Sequence, residues 1–222
     1  MKAIANGSLP LIMLGAGGHA KVLLSLAQAS GLNVLGVCDP ELAQQGRDQW
    51  RGVRVLGSDD ALGAFDPASV GLINGIGQLV GSTGRRKVFE RLKAKGFRFP
   101  VLVHPAAWVD DSAVLNEGVQ VMAGAVIQAD ATVGCNSIIN TGASLDHDCY
   151  LGVHVHVAPG ATLCGNVRVQ DRAFIASGAT VIQGLTVGEE SVVGAGAVLV
   201  RDLAARLTLI GPAARNKAAL GE

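Results

Sequence analysis

Ile139-Asn140-Thr141-Gly142-Ala143-Ser144-Leu145-Asp146-His147-Asp148-Cys149-Tyr150-Leu151 is the stretch whose reading decides the fold. Its aliphatic residues Ile139, Leu145 and Leu151 stand six apart, and small Ala143 and Cys149 stand four residues after the first two. Extended in both directions, every sixth residue from Val109 to Leu199 is Val, Ile or Leu, without an insertion. A period of six fits neither an amphipathic helix nor an alternating strand. It is the signature of a β-helix with triangular coils, each coil using three short faces. The aliphatic residue points into a narrow prism and the small one fits a tight corner. Stacked coils bury a continuous apolar column, with neighbouring strands about 4.8 Å apart. Such a fold has few loops, so its chemistry must come from turn residues.

Before residue 105 the pattern changes. Leu11 to Leu14 is a continuous apolar run followed by Gly15-Ala16-Gly17-Gly18-His19-Ala20 and a helical stretch, Lys21 to Ser30. Val34 to Cys38, Val53 to Leu56 and Gly71 to Ile76 read as further strands, and Thr83 to Lys95 as a helix ended by Gly96. Strands alternating with helices predict a small parallel α/β sheet of Rossmann-like type. Residues 1–104 are thus expected to form this α/β domain, with Phe99 to His104 as the link, and residues 105–222 the β-helix. The tail Leu207 to Lys217 leaves the period and is expected to pack back on the last coil.

Composition narrows the function classes. The 222 residues are 16% charged and 4% aromatic, and their formal net charge is zero, so nothing suggests nucleic acid or an anionic membrane as partner. Arg85-Arg86-Lys87 is the one dense basic run and reads as a solvated helix face. No apolar run is long enough for a transmembrane helix, and the short run Leu9 to Leu14 reads as a strand rather than a signal peptide, which predicts a cytoplasmic protein. Cys38, Cys135, Cys149 and Cys164 lack zinc-site spacing, and Cys149 falls on an inward small position.

Two places carry chemistry. Gly15-x-Gly17-x-x-Ala20, between a strand and a helix and with Asp39 about twenty residues on, resembles a dinucleotide fingerprint. Its glycines let backbone N–H groups approach phosphates at a helix N-terminus. A nucleotide diphosphate is the favoured ligand for so short a domain, ahead of an NAD-type cofactor or a purely structural turn. His19 would then lie beside the phosphates, or be merely an exposed helix-start histidine. The second place is Asp146-His147-Asp148, where carboxylates flank a turn histidine and favour its protonated form. One coil of eighteen residues on from His147 is Gly165, and one coil back is Ala129. Bare backbone above the ring leaves room for a substrate and a glycine N–H as oxyanion donor. His154 reads as a surface residue, pointing to a different side from His156. A zinc site built from the three histidines is a weaker alternative, since no ligand spacing recommends it and no metal is expected. A covalent cysteine intermediate through Cys149 or Cys164 is the chemical rival.

Several segments together carry a family resemblance. They are Leu14 to Lys21, Asn74-Gly75-Ile76-Gly77-Gln78, His104-Pro105, Ile139 to Cys149, and Ile210-Gly211-Pro212-Ala213. Nearly the whole chain resembles the sialic-acid O-acetyltransferase-like group of bacterial nucleotide-sugar acetyltransferases, left-handed β-helix enzymes that N-acetylate 4-amino sugars. The resemblance implies acetyl-CoA as cosubstrate, a UDP- or GDP-linked amino-deoxy sugar as acceptor, and a homotrimer. It implies that His147 is the catalytic base and that Asp148, where many members have glutamate, orients it. It implies that His156 contacts acetyl-CoA, that the Gly165 amide faces the thioester oxygen, and that Ser177 and Ala195 line the pantetheine channel between subunits. Gly18, His19, Ala20, Asp39, Gly77 and Gln78 are implied to line the nucleotide-sugar pocket, with Gln78 replacing the Asn or Asp of many relatives. Sialic acid O-acetylation, a zinc lyase of the γ-carbonic-anhydrase kind and a non-catalytic nucleotide-binding module are the competing functions.

Overall fold

Eighteen residues per coil is the spacing at which strands meet. The computed structural model describes residues 9–211. In it Val126↔Ser144, Ser144↔Thr162 and Thr162↔Thr180 pair in parallel register, and the other two faces repeat the same offset. The faces hold six, five and seven two-residue strands, and the coils wind left-handed. Face 1 runs from Trp108–Val109 to Val198–Leu199, face 2 from Val114–Leu115 to Thr186–Val187, and face 3 from Leu102–Val103 to Thr208–Leu209. Inward residues such as Ile127, Leu145 and Leu163 are wholly buried, as are small Ala125, Ala143 and Ala161. Each buried aliphatic side chain contributes about 1.5–3 kcal/mol, which lets strands of two residues persist.

The corners carry a second six-residue rhythm. From Asp130 to Gly196, every residue three places after the inward aliphatic has a positive φ, as at Asn136, Gly142, Asp148 and His154. A left-handed residue turns the chain sharply between faces; Gly, Asn and Asp accept that geometry most readily. Gly152 shows how close the coils come: a Cβ there would collide with the Asp171 carboxylate, which accepts the Val153 N–H.

The α/β unit comprises β1 (Leu11–Leu14), α1 (Gly18–Ala29), β2 (Val34–Cys38), α2 (Pro40–Gln44), β3 (Gln49–Trp50), β4 (Val53–Gly57), β5 (Gly71–Asn74) and α3 (Gly84–Ala94). Its sheet order is β3-β4-β2-β1-β5. The expected parallel sheet holds for four strands; β3 adds antiparallel to β4 as a short hairpin. Helix α1 starts at the glycines themselves rather than at Lys21, and β5 stops at Asn74 rather than Ile76. The link from Phe99 contains a rung, since Leu102–Val103 pairs with Gln120–Val121. At the other end Thr208–Leu209 pairs with Val192–Val193, so the tail continues face 3 where it was expected to depart from it. Residues 212–217 of that tail, with Pro212 and Ala213, lie outside the described residues.

Face 3 is where the α/β unit docks, and the seam is polar. Arg85, expected on a solvated face, is buried. Its guanidinium donates to the carbonyls of Asn74 (2.8 Å) and Ile76 (2.9 Å) and, more weakly, of Asn136. Asn74 Nδ2 donates to Asn136 Oδ1, so Asn136 Nδ2 is free to donate to His154 Nδ1 (2.9 Å). His154 is therefore buried rather than on the surface, held edge-on to Phe89 with Nε2 3.7 Å from Glu90. Gln120 Nε2 donates to Asn74 O, so its Oε1 accepts from His19 Nε2–H (2.8 Å). His156 donates from Nδ1 to Gln78 O, accepts from Asn140 at Nε2, and stands edge-on to Phe174.

These bonds fix neutral imidazoles beside a buried cation. Burial, then the Arg85 charge and others, pushes His19 down to about 4; burial does the same to His156 and lowers His154. A histidine lowered in the folded state binds fewer protons there than in the unfolded chain between pH 6.5 and 4. Stability is therefore expected to fall as pH drops through that window, by on the order of 3 kcal/mol for each of His19 and His156 at its lower end. Urea midpoints from pH 7 to 4, alongside imidazole ¹⁵N shifts, check this. Seam histidines that titrate near 6.5 in the folded protein would show an open seam.

Candidate functional site

The glycine turn is built for close backbone approach. Gly15 has φ +84°, and a Cβ on Gly75 would lie 2.6 Å from Leu14 O and 2.9 Å from Ala20 Cβ. Helix α1 then begins at Gly18 with Gly17 as N-cap, without a capping side chain or an acidic residue in its first turn. Its open N–H groups and positive end can receive an anion, and the glycines leave space for one. Gly18, His19 and Ala20 lie together at this point, and a Cβ on Gly77 would lie 3.4 Å from His19 Cβ. His19 is neutral, with its Nδ1 lone pair bare, so it offers an acceptor where a phosphate partner would need a donor.

Two residues implied for this pocket have internal duties. Asp39 Oδ2 accepts from the Ala16 N–H (2.8 Å), while Oδ1 caps α2 by accepting from Glu41 and Leu42. The carboxylate holds the glycine turn in shape. Gln78 Nε2 donates to His154 O and its carbonyl accepts from His156, so this residue staples the β5–α3 loop to face 3. With both ring nitrogens engaged, His156 presents only carbon edges and neighbouring backbone to any coenzyme.

His147 stands on the corner between faces 1 and 2, exposed to solvent. Asp148 lies in the left-handed turn (φ +60°), which brings its short side chain back so that Oδ2 meets His147 Nδ1 at 2.7 Å. The Asp146 Oδ1 accepts the His147 N–H at 2.8 Å. The hydrogen bond to Asp148 and the charge of Asp146 raise the pKa of His147. A carboxylate on Nδ1 keeps the proton there and leaves Nε2 as the acceptor. That nitrogen lies over Gly165: a Cβ at Gly165 would sit 2.6 Å from Nε2. Equivalent corner positions hold Ala129, His147 and Gln183, so the backbone tolerates a side chain there, and Gly165 is bare on account of the ring. The Gly165 N–H donates to no acceptor among the described residues.

Beside this corner a shallow groove of about 190 Å³ runs along face 1, lined by Ser144, Asp146, Thr162 and Cys164 among others. Cys149, the thiol nearest His147 in sequence, is buried; it contacts Cys164 O and is pushed up to about 11 by burial, which unfits it as a nucleophile. Ser177 and Ala195 are exposed and stacked one coil apart, on the corner joining faces 3 and 1. They border face 1 on the edge opposite His147. Among the described residues no group of three or more His, Cys, Asp or Glu could hold a metal ion, and His147, His154 and His156 occupy separate positions with separate partners.

One chain thus brings His147, Asp148 and Gly165 together, and separately Gly18, His19, Ala20 and Gly77, but it does not bring the two groups or the Ser177 corner into one cavity. The sequence reading gave no role to Gln120, Asn136 or Asn140 and placed Arg85 on a solvated face. The first three share one signal, polar side chains recurring on and beside face 3, next to apolar Ile138 and Phe174, while Arg85 on α3 had none beyond its basic run.

Comparison with known proteins places these features. Residues 10–92 match the PglD N-terminal domain family. PerB from Caulobacter crescentus, solved with CoA and GDP-perosamine, is 39% identical over 91% of this chain and 94% of its own, with a TM-score of 0.82. The acetyltransferase domain of PglB from Neisseria gonorrhoeae, solved with acetyl coenzyme A, is 37% identical over 92% of this chain and 97% of its own, with a TM-score of 0.84. WeeI from Acinetobacter baumannii, at 23% identity, shares the fold over 92% of this chain and 97% of its own, with a TM-score of 0.81. Comparison with curated proteins returned no match. With this identity along nearly the whole length, a matching N-terminal domain and an unbroken hexapeptide prism, the chain belongs to the bacterial nucleotide-sugar N-acetyltransferases of the hexapeptide acyltransferase family.

Proposed function

We propose that the protein transfers the acetyl group of acetyl-CoA directly to the 4-amino group of a nucleotide-linked amino-deoxy sugar, with His147 as general base. The observation that carries the reading is the His147 corner: Nδ1 tied to Asp148, Nε2 bare, and an unoccupied glycine N–H one coil above. The relatives PerB and PglB, solved with CoA or acetyl-CoA and one of them with GDP-perosamine, support the choice of cosubstrate and acceptor. The nucleotide would lie at the α1 N-terminus, with Gly18, His19, Ala20 and Gly77 around it, and Asp39 and Gln78 holding that pocket's walls. Acetyl-CoA would lie along the corner of Ser177 and Ala195. His156 supports this region from beneath.

In the reaction the amine nitrogen attacks the thioester carbonyl carbon while Nε2 of His147 takes a proton from it. The carbonyl oxygen becomes an oxyanion that accepts the Gly165 N–H. The C–S bond then breaks, and the imidazolium returns its proton to the departing thiolate. The sites on one chain are separated around the prism, so the reading includes a second copy, in a homotrimer, completing each site. No helix among the described residues is long and apolar enough to cross a membrane.

His147→Asn is expected to lower kcat about 10²–10⁴-fold with unchanged coenzyme A affinity. Thiol release from acetyl-CoA against UDP- and GDP-linked 4-amino-6-deoxy sugars and free sialic acid checks it. Turnover of sialic acid alone would assign O-acetylation instead. Gly165→Ala tests the stacking: the methyl displaces the ring, so activity should fall about 100-fold while stability stays within about 0.5 kcal/mol. The pH profile gives the third check. Because Asp148 raises the pKa of His147, kcat/KM should climb with pH through a value above the ordinary 6.5, and Asp148→Asn should move that limb to lower pH.

A further inference from the structure

We infer that Asp146 is the residue that selects an amine over a hydroxyl as acceptor, by taking the second N–H of the nucleophile. This rests on His147 being the base, as proposed above. The two carboxylates beside His147 are not equivalent. Asp148 is committed to Nδ1, behind the ring, at 2.7 Å. Asp146 lies before the corner, where strand alternation turns Leu145 inward and puts residues 144 and 146 outward on face 1. Its side chain is part of the wall of the groove, together with Ser144, Thr162 and Cys164. Oδ1 accepts the His147 N–H at 2.8 Å, and Oδ2 makes no hydrogen bond among the described residues. Among the described residues no Lys or Arg forms an ion pair with it. An acceptor-only group is therefore held, without a Lys or Arg partner, on the residue before the base and close enough for its charge to act on the imidazole.

The stoichiometry of protons makes this discriminating. A primary amine that aims its lone pair at the thioester carbon carries two N–H bonds. One goes to His147 Nε2, and the second needs an acceptor of its own. A charged acceptor makes that hydrogen bond roughly twice as strong as a neutral one. A hydroxyl has one O–H, which His147 takes, and its remaining lone pair would then face the carboxylate. The repulsion raises the barrier for the hydroxyl alone, so specificity arises by penalising the wrong acceptor as well as holding the right one.

The test is Asp146→Asn, which keeps an oxygen to accept the His147 N–H and removes the charge. GDP-perosamine is compared with its analogue carrying a hydroxyl at the same carbon, each with acetyl-CoA. The expected result is a fall of about 10²-fold in the amine-to-hydroxyl ratio of kcat/KM, with the KM for acetyl-CoA unchanged. A role limited to capping the corner or tuning His147 would depress both acceptors equally and shift the acid limb of the pH profile, leaving the ratio intact; that result overturns the inference. Asp146→Ala, which also removes the cap, should show the same ratio at lower overall activity. Wild-type enzyme that acetylates the amine while Asp146→Asn keeps its ratio sinks this inference alone. Wild-type enzyme that acetylates no nucleotide-linked amine sinks the proposed function with it.

Discussion

Parallel pairing at an offset of eighteen residues is the constraint from which the His147 corner follows. Backbone hydrogen bonds from each coil to the next leave a side chain no choice of neighbour: what lies above His147 is Gly165, and what lies below is Ala129. In a loop, a histidine would need several contacts to hold its ring. Here the stack supplies the floor and ceiling, and two adjacent aspartates supply the orientation. Precision of this kind comes from rigid ladders and costs few residues. The same rigidity explains why Asp148 suffices where a longer side chain would otherwise be needed: its left-handed backbone already points the carboxylate at Nδ1.

A second dependency joins the two units. The seam on face 3 joins apolar anchors, among them Leu102, Met122 and Ile138 packed into the α1 core and Phe89 against Phe99, to many hydrogen bonds. Arg85 organises it by gathering carbonyls from the end of β5, from the loop after it and from the Asn136 corner. A buried guanidinium satisfied by carbonyls has no neutralising carboxylate among those contacts, and its charge adds to the burial that keeps the nearby imidazoles neutral. Glu117 pins the same seam from the other side by accepting from Lys93 and from the Phe99 N–H. The unit that holds the glycine turn is thus fixed to the prism by a hydrogen-bonded network as well as by apolar packing.

What could be read from the chain beforehand was whatever depends on near neighbours or on the repeat. The prism, its inward residues, Cys149 in the core and Gly165 over His147 all follow from counting, and the glycine turn follows from local backbone chemistry. Misread were residues whose surroundings are set by docking. His154 occupies a corner that is open in an isolated β-helix and closed by α3 here. Arg85 begins a basic run that looks solvated until Asn136 is brought beneath it. Asp39 and Gln78, implied for the ligand pocket, carry duties that counting did not announce, as a helix cap and a staple. No spacing rule separates those uses, because both need the same polar atoms in the same place.

Because each corner is reached in six residues, the direction of a side chain around the prism is set by its residue number modulo eighteen. The hydrophobic column obeys the smaller modulus of six. The two rules come apart under insertion or deletion. Six residues added between the docking seam and Asp146 would leave every aliphatic residue inward and every turn in place, yet would swing the histidine corner a third of a revolution away from face 1. Eighteen would restore its heading and lift it by one rung. The prism therefore behaves as a rotary register, indifferent to its phase for folding, while the heading of the histidine corner depends on it wholly.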